Sequence, residues 1–353
     1  MGPKSRTQFS KNFAFLDKYP RLVGLALTVI IAIHHGWSVF PNAVWIMQVV
    51  QSFPRLPHLD SLAQYNLFSI GPYLAMHFVA ISDPQILVTI SFIGTAVLTC
   101  AMYQISNKKQ DQNLVFTVFI TSPVFLILLS WVGSYDLVTV TCVVIVMYSK
   151  RTSLALLAGV VVAWSNFEQF VFCILLLSLA FDSKQNLRRK RYLVSLAASF
   201  ISYFSIRAFL LNKGVRMTRL SGLIEWLSDP SYFSKTLSAL PFTIFSIFAS
   251  AFILALYWNK FCQPDLLSKV RLVTAGCVVL SLSLISLDQT RIGAIHILPL
   301  CFVLSERIAV FAPPNSVRKI RALLIATTLV FPPFFVWSST IHRAGWGNLL
   351  LRI

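Results

Sequence analysis

Asp60 stands in the segment PRLPHLDSLAQYNLF, two residues after His58 and shortly before Gln64, Tyr65 and Asn66. Loops of this polar density are where sites are built. A carboxylate there can take a proton from an acceptor hydroxyl or hold a divalent metal; the plainer alternative is a solvated loop acid. A second cluster sets Lys213, Arg216, Arg219 and Lys235 among Trp226, Tyr232 and Phe233. Arg and Lys bind phosphate through charge-assisted hydrogen bonds, so this cluster suits lipid phosphates, unless Glu225 and Asp229 simply balance it in solvent. In LDQTRIGAIHILP, Arg291 follows Asp288 by three residues and His296 lies five further on. The simplest reading is a local i,i+3 ion pair between Asp288 and Arg291. The sharper one is a ring of Arg207, Arg291 and His296 around a phosphate. Asp83 in SDP, Asp136 in GSYD and Glu168 in NFEQ occupy very short connections. Each fits a helix N-terminus, where the dipole stabilises a carboxylate, and Glu168 and Asp288 equally fit a polar network.

Other chemistries lack their residues. His34 and His35 are adjacent, so on a helix they face different sides and form no metal-ligand pattern. The six cysteines are scattered without a CxxC, which disfavours a disulfide framework or a zinc site. There is no Walker sequence, HExxH, GxSxG or dinucleotide fingerprint, so ATP-driven and soluble-type chemistries are disfavoured. No cofactor is assigned. A divalent metal stays open, since a lone acid such as Asp60 rarely holds one unaided.

The elements that must position these residues are membrane helices. Of 353 residues 56% are hydrophobic and only 12% charged, about half the charge of a soluble domain, and the mean hydropathy is +0.73. Apolar runs at 22–40, 85–104, 114–131, 136–148, 153–166, 169–182, 192–211, 237–258, 270–287, 292–311 and 320–339 predict an all-α, polytopic bundle of about 11 spans. The chain reads as one integral membrane domain, 1–353. The runs between 136 and 182 are too short to cross a bilayer unless broken or locally thinned. Thirty Lys and Arg against 12 acids would suggest nucleic acid in a soluble protein. Here they cluster between apolar runs as topology signals, and no nucleic-acid partner is expected.

With residues 1–21 as a basic cytoplasmic tail and alternation thereafter, the segments around 108–109, 150–151, 184–191, 260–271 and 307–321 face inward and hold most of the basic residues. Outside lie two long loops, 41–84 and 212–236. The apolar stretch 66–80 is interrupted by Gly71-Pro72. It is read as an interfacial or re-entrant segment of the first loop, joined there by an interfacial stretch at Val44 to Phe53. Asp60, Asp83, Asp136, Glu168, Glu225, Asp229 and Asp288 all fall on this outer side.

A cytoplasmic N-terminus, one span, a long outer loop with an acid and interfacial helices, then many short-looped spans: this layout resembles the class C (GT-C) glycosyltransferases. Local runs are similar too. DSLAQYNLFSIGPYLAMH, from Asp60 to His77, looks like the family's first loop. SPVFLILLSWVGSYDLVTV, with Pro123 and Asp136, is similar to its third and fourth spans, and LDQTRIGAIHILP resembles later spans. Many members carry paired acids in the first loop, whereas Asp60 stands alone; no large domain follows the last span, only the tail 340–353.

The resemblance implies transfer of a sugar from a polyprenyl-phosphate donor to a glycan or lipid acceptor; the compact 353 residues without a eukaryotic retention signal fit a bacterial plasma membrane. The resemblance makes Asp60 the general base. Arg216, Arg219 and Arg291 would hold the donor phosphate, with Asp136 and Glu168 on the pocket floor. His58, Tyr65, Asp288 and His296 complete the substrate-binding set. Two other classes fit the same layout: a transporter or flippase of lipid-linked sugar, and a non-catalytic subunit keeping the fold.

Overall fold

In the computed structural model, residues 20–40, 43, 47, 51, 69, 71–108, 113–180, 186–215, 224, 228, 230–286 and 288–345 are described. Among them, in chain order, are thirteen helices and two strands. The helices are α1 (Pro20–His35), α2 (Gly71–Phe78), α3 (Pro84–Lys108), α4 (Leu114–Thr121), α5 (Pro123–Ser130), α6 (Asp136–Tyr148) and α7 (Thr152–Ala163). They continue with α8 (Phe167–Ala180), α9 (Asn186–Asn212), α10 (Pro230–Cys262), α11 (Leu266–Leu284), α12 (Gln289–Phe311) and α13 (Pro314–Val330). Strands β1 (Phe334–Trp337) and β2 (Thr340–Arg343) close the order as an antiparallel hairpin.

Local chemistry accounts for most boundaries. Pro84, Pro123, Pro230 and Pro314 each open a helix, where a missing N–H costs nothing and φ is already helical. The Asp83 carboxylate accepts the Gln85 N–H at 2.8 Å, the cap its SDP context suggested. Asp265 caps α11 by accepting from Ser268 N at 3.1 Å, and the hydrogen bonds from Ser268 hold its carboxyl below the usual range. Helix α1 stops at His35 because Gly36 adopts φ 69°, the left-handed turn that favours glycine.

The structure redraws several expected spans. The run 22–40 is helical only to His35; beyond it the chain lies beside 129–132, with Ser38 N on Leu129 O and Phe40 N on Val132 O. The run 114–131 is two helices, broken at Ser122, because Pro123 cannot donate into the ladder. The expected span 320–339 is a correction. Its helix ends at Val330, and Pro332-Pro333 turn the chain into the hairpin, so the bundle is not purely helical. Ser338 and Ser339 take φ 51° and 58° in the two-residue hairpin turn. The three short helices expected between 136 and 182 are present, with 13, 12 and 14 residues.

Helices α3, α9, α10, α11 and α12 are long and apolar enough to cross a membrane. Leu22, Leu25 and Ile33 on α1, Val97 on α3, Leu256 on α10 and Val273 on α11 point outward. Bare apolar flanks of this kind on helices that satisfy their own backbone are what a bilayer covers. The protein is a helical membrane protein in contact with lipid. At the centre stands α12, with contacts to α4, α5, α8, α10 and α11 and burial from Gln289 almost to Ile308. Small residues permit the close packing. At Gly293 a Cβ would collide with Ile247 and Ser283, and at Gly159 with the Ser195 carbonyl of α9.

Candidate functional site

The site is assembled where the first turn of α12 meets the corner between α5 and α6. Arg291, 4% exposed, grips Asp136 in a fork: Nε donates to Oδ2 at 2.7 Å and Nη2 to Oδ1 at 2.9 Å. Nη1 donates to Asp288 Oδ2 at 2.7 Å. Two of the five guanidinium N–H groups are not taken up by these carboxylates. Asp136 is fully buried at the start of α6, and Asp288 precedes α12 as its N-cap residue. Both carboxylates thus sit at the positive ends of helices, which favours their charge alongside the arginine. Ser134 Oγ adds a donor to Asp136 Oδ2 at 3.2 Å.

Aromatic rings enclose the guanidinium. Its carbon lies 4.7 Å from the Tyr135 ring centroid and 5.1 Å from that of Trp131, within cation–π range. Phe335 and Trp337 of β1 abut Trp131 edge-on. The hairpin is held down by side chains of α12: Val336 N donates to Thr290 Oγ1 at 2.9 Å, and Gln289 Nε2 donates to Ser339 Oγ at 3.0 Å. Thr236 of α10 shares a hydrogen bond with Ser339, and Tyr232 donates to the carbonyls of Leu284 and Ser286. Below the corner, Tyr73 of α2 donates to Gly133 O at 2.9 Å. Burial, then the neighbouring Tyr135 and Asp136, push its phenol well above the usual range, so it remains a donor.

The expected residues divide into three groups. Asp136, Asp288 and Arg291 come together, and the i,i+3 pair is real. His296 is buried more than a turn deeper on α12, edge-on to Phe172 at 5.9 Å, and Glu168 is half-buried in the first turn of α8. Arg207 is half-buried on α9; no ion pair among the described residues joins it to Arg291. The third group, His58, Asp60, Tyr65, Arg216 and Arg219, lies outside the described residues, as does much of the two long loops, 41–84 and 212–236. Among the described residues no three His, Cys, Asp or Glu gather to hold a metal.

The roots of both loops are nonetheless described. Phe40, Ala43 and Met47 lead into the first loop and Tyr73 and Leu74 lead out of it. Ile206, Leu210 and Val215 lead into the second. All pack in one buried cluster with Trp131 and Tyr135, the rings that enclose Arg291. Gly71 N is fastened to Trp164 O at 2.6 Å.

Sequence reasoning missed Thr236, Ser339 and the aromatic enclosure, and gave Gln289 and Tyr232 no named part in the site. The one signal was position: Trp131 lies two residues before GSYD, Tyr135 lies within it, and Gln289 sits inside LDQTR. The chain shows no significant match to protein-family models, to curated proteins or to solved structures.

Proposed function

We propose that this protein is a membrane glycosyltransferase that moves a sugar from a polyprenyl-phosphate donor to a glycan or lipid acceptor. The observation that carries the reading is the convergence at one end of the bundle. The roots of both long loops share a cluster with the aromatic enclosure of the Asp136–Arg291–Asp288 group. The loop that holds the proposed base and the loop that holds the phosphate-binding cations are thereby rooted beside one charged group.

In this reading Asp60 takes the acceptor proton for inverting attack, and His58 and Tyr65 bind substrate. Arg216 and Arg219 neutralise the leaving phosphate. Arg291 directs its two remaining donors to the same phosphate and is aimed by Asp136 and Asp288. Glu168 and His296 orient sugar hydroxyls. The chain crosses a bacterial plasma membrane about 11 times in the GT-C manner, N-terminus in the cytoplasm.

The test is transfer of label from polyprenyl-phosphate sugars to a membrane extract in detergent, for wild type and Asp60→Asn. Label moved by the wild type and lost in the variant supports the reading. Full transfer by the variant removes Asp60 as base, and transfer by neither across a broad donor panel, with the fold intact, overturns the enzyme.

A second reading, a transporter or flippase of lipid-linked sugar, is favoured by His35. It is buried at the end of α1, beside a cavity of about 80 Å³, with no hydrogen-bond partner for either ring nitrogen among the described residues. Buried ionisable groups of this kind line transport paths. Movement of substrate in liposomes without a new glycosidic bond is the outcome that favours it.

A further inference from the structure

At the other end of the bundle, helices α1 and α3 flank a groove floored by α4 and α5. It encloses about 750 Å³, a volume typical of ligand sites. Its walls are apolar along most of their length. The three threonines that line it have turned their hydroxyls away. Thr28 donates to Gly24 O, Thr95 to Ser91 O and Thr99 to Thr95 O, each within its own helix. Little along the walls remains to recognise a polar ligand. From Arg21 to Ala32 the groove follows twelve residues of α1, about 16 Å of helical rise. That is roughly half the hydrocarbon thickness of a bilayer, the depth of one leaflet. Phe92 lines the far end and lies edge-on to Trp37 at 6.1 Å.

Polarity returns only at the near end, where Arg21 opens α1 and Gln104, Asn107 and Lys108 close α3. Arg21 and Lys108 are exposed, and among the described residues neither forms an ion pair or a hydrogen bond. An apolar slot one leaflet deep, ending in two exposed cations and two amide side chains, is complementary to one kind of molecule. We propose that this groove binds a single anionic lipid of the leaflet at that face. Its hydrocarbon chain lies between α1 and α3, and its phosphate headgroup sits between Arg21 and Lys108 with Gln104 and Asn107 as further donors. Arg and Lys supply charge-assisted hydrogen bonds to phosphate oxygens there. The site is at the end of the bundle opposite Arg291 and does not depend on the transfer reaction. In the proposed topology it faces the cytoplasmic leaflet.

The experiment reconstitutes the full chain in vesicles of equal dioleoyl phosphatidylglycerol and dioleoyl phosphatidylcholine. The protein is extracted in mild detergent, and the retained lipid is measured by native mass spectrometry. Wild type is expected to keep one lipid per chain, enriched in phosphatidylglycerol. Arg21→Ala with Lys108→Ala is expected to lower retention of the anionic lipid about 30-fold, the effect of removing two cations beside an anionic headgroup. Ala96→Trp, on the exposed lip of the groove, fills the slot and is expected to abolish retention with the head cations intact. Circular dichroism and the thermal midpoint establish that each variant folds.

Equal retention of both lipids by the wild type would reduce the groove to a trench that any bilayer lipid fills. Unchanged anionic retention in the double variant, or in Ala96→Trp, would place the lipid elsewhere. A gain of lipid on deleting residues 1–19 would assign the groove to the chain's own N-terminal segment and overturn the proposal.

Discussion

Helices α11 and α12 follow one another in the chain and are almost equally apolar, with mean hydropathies of 1.6 and 1.7 over their best windows. Their placements are opposite. In α11 17% of that window is buried inside the protein, and in α12 72%. Hydropathy cannot separate them, because lipid tails and a protein interior are nearly the same solvent for a leucine. What separates them is everything that is not hydrophobic bulk. Helix α12 carries Arg291, His296, Gly293 and Pro299, residues that lipid tolerates poorly or that permit close helix contact. Helix α11 presents Leu267, Val270 and Val273 outward and buries little beyond Ala275, Val279 and Ser283.

The comparison is most severely tried at Arg291. Arg291→Met leaves the buried Asp136 and the half-buried Asp288 without their cation and is expected to cost about 3–5 kcal/mol, read as a fall in the thermal midpoint in detergent. Adding Asp136→Leu is expected to restore much of that loss. A single variant as stable as wild type would mean that α12 is not anchored by its ion group.

Truncating bulk comes next. Phe302 on α12 is 0% exposed and Val273 on α11 is 65% exposed. Phe302→Ala is expected to cost about 3 kcal/mol through the cavity it leaves. Val273→Ala should stay within about 0.5 kcal/mol. Similar losses at both positions would erase the distinction between the helices.

The two glycines sharpen it further. Gly293→Ala pushes a methyl group against Ile247 and Ser283 and is expected to cost about 1–3 kcal/mol. At Gly276 of α11 the new Cβ meets only Phe248, at 3.8 Å. Gly276→Ala is expected to be neutral or to gain up to about 1 kcal/mol from helix propensity. Opposite signs in matched denaturation curves are the predicted result.

The smallest effect concerns the junction between the helices. Tyr232→Phe removes the hydroxyl that donates to Leu284 and Ser286 at the α11–α12 turn. It is expected to cost about 1 kcal/mol and to speed hydrogen exchange in that turn, without altering exchange at the centre of α12.

Much of the candidate site was legible one element at a time. Asp288 and Arg291 are three residues apart, so their pairing needs only a helix. Asp136 lies 155 residues from Arg291, and no spacing rule joins two corners so distant. The ring proposed from Arg207, Arg291 and His296 treated the arginine as unpaired, while the fold had given it a carboxylate from another helix. The misplaced last span was avoidable. Pro332-Pro333 lies inside the run 320–339, and two prolines in mid-helix argue for a stop.

The sequence by itself determined that this is a helical membrane protein, where most helices begin, and that charged residues collect at the connections. Those features follow from backbone hydrogen bonding, proline geometry and the cost of charge in hydrocarbon, all of them local or compositional. Only the tertiary structure decided that α12 rather than α11 is the core, that Asp136 meets Arg291, and that the roots of both long loops share one aromatic cluster. It alone left a groove with exposed cations at one end between α1 and α3. Inside a bilayer the hydrophobic effect no longer sorts helices into inner and outer ones. Their order is settled by fit and by pairing of buried polar groups, and both are properties of two surfaces in contact rather than of either alone.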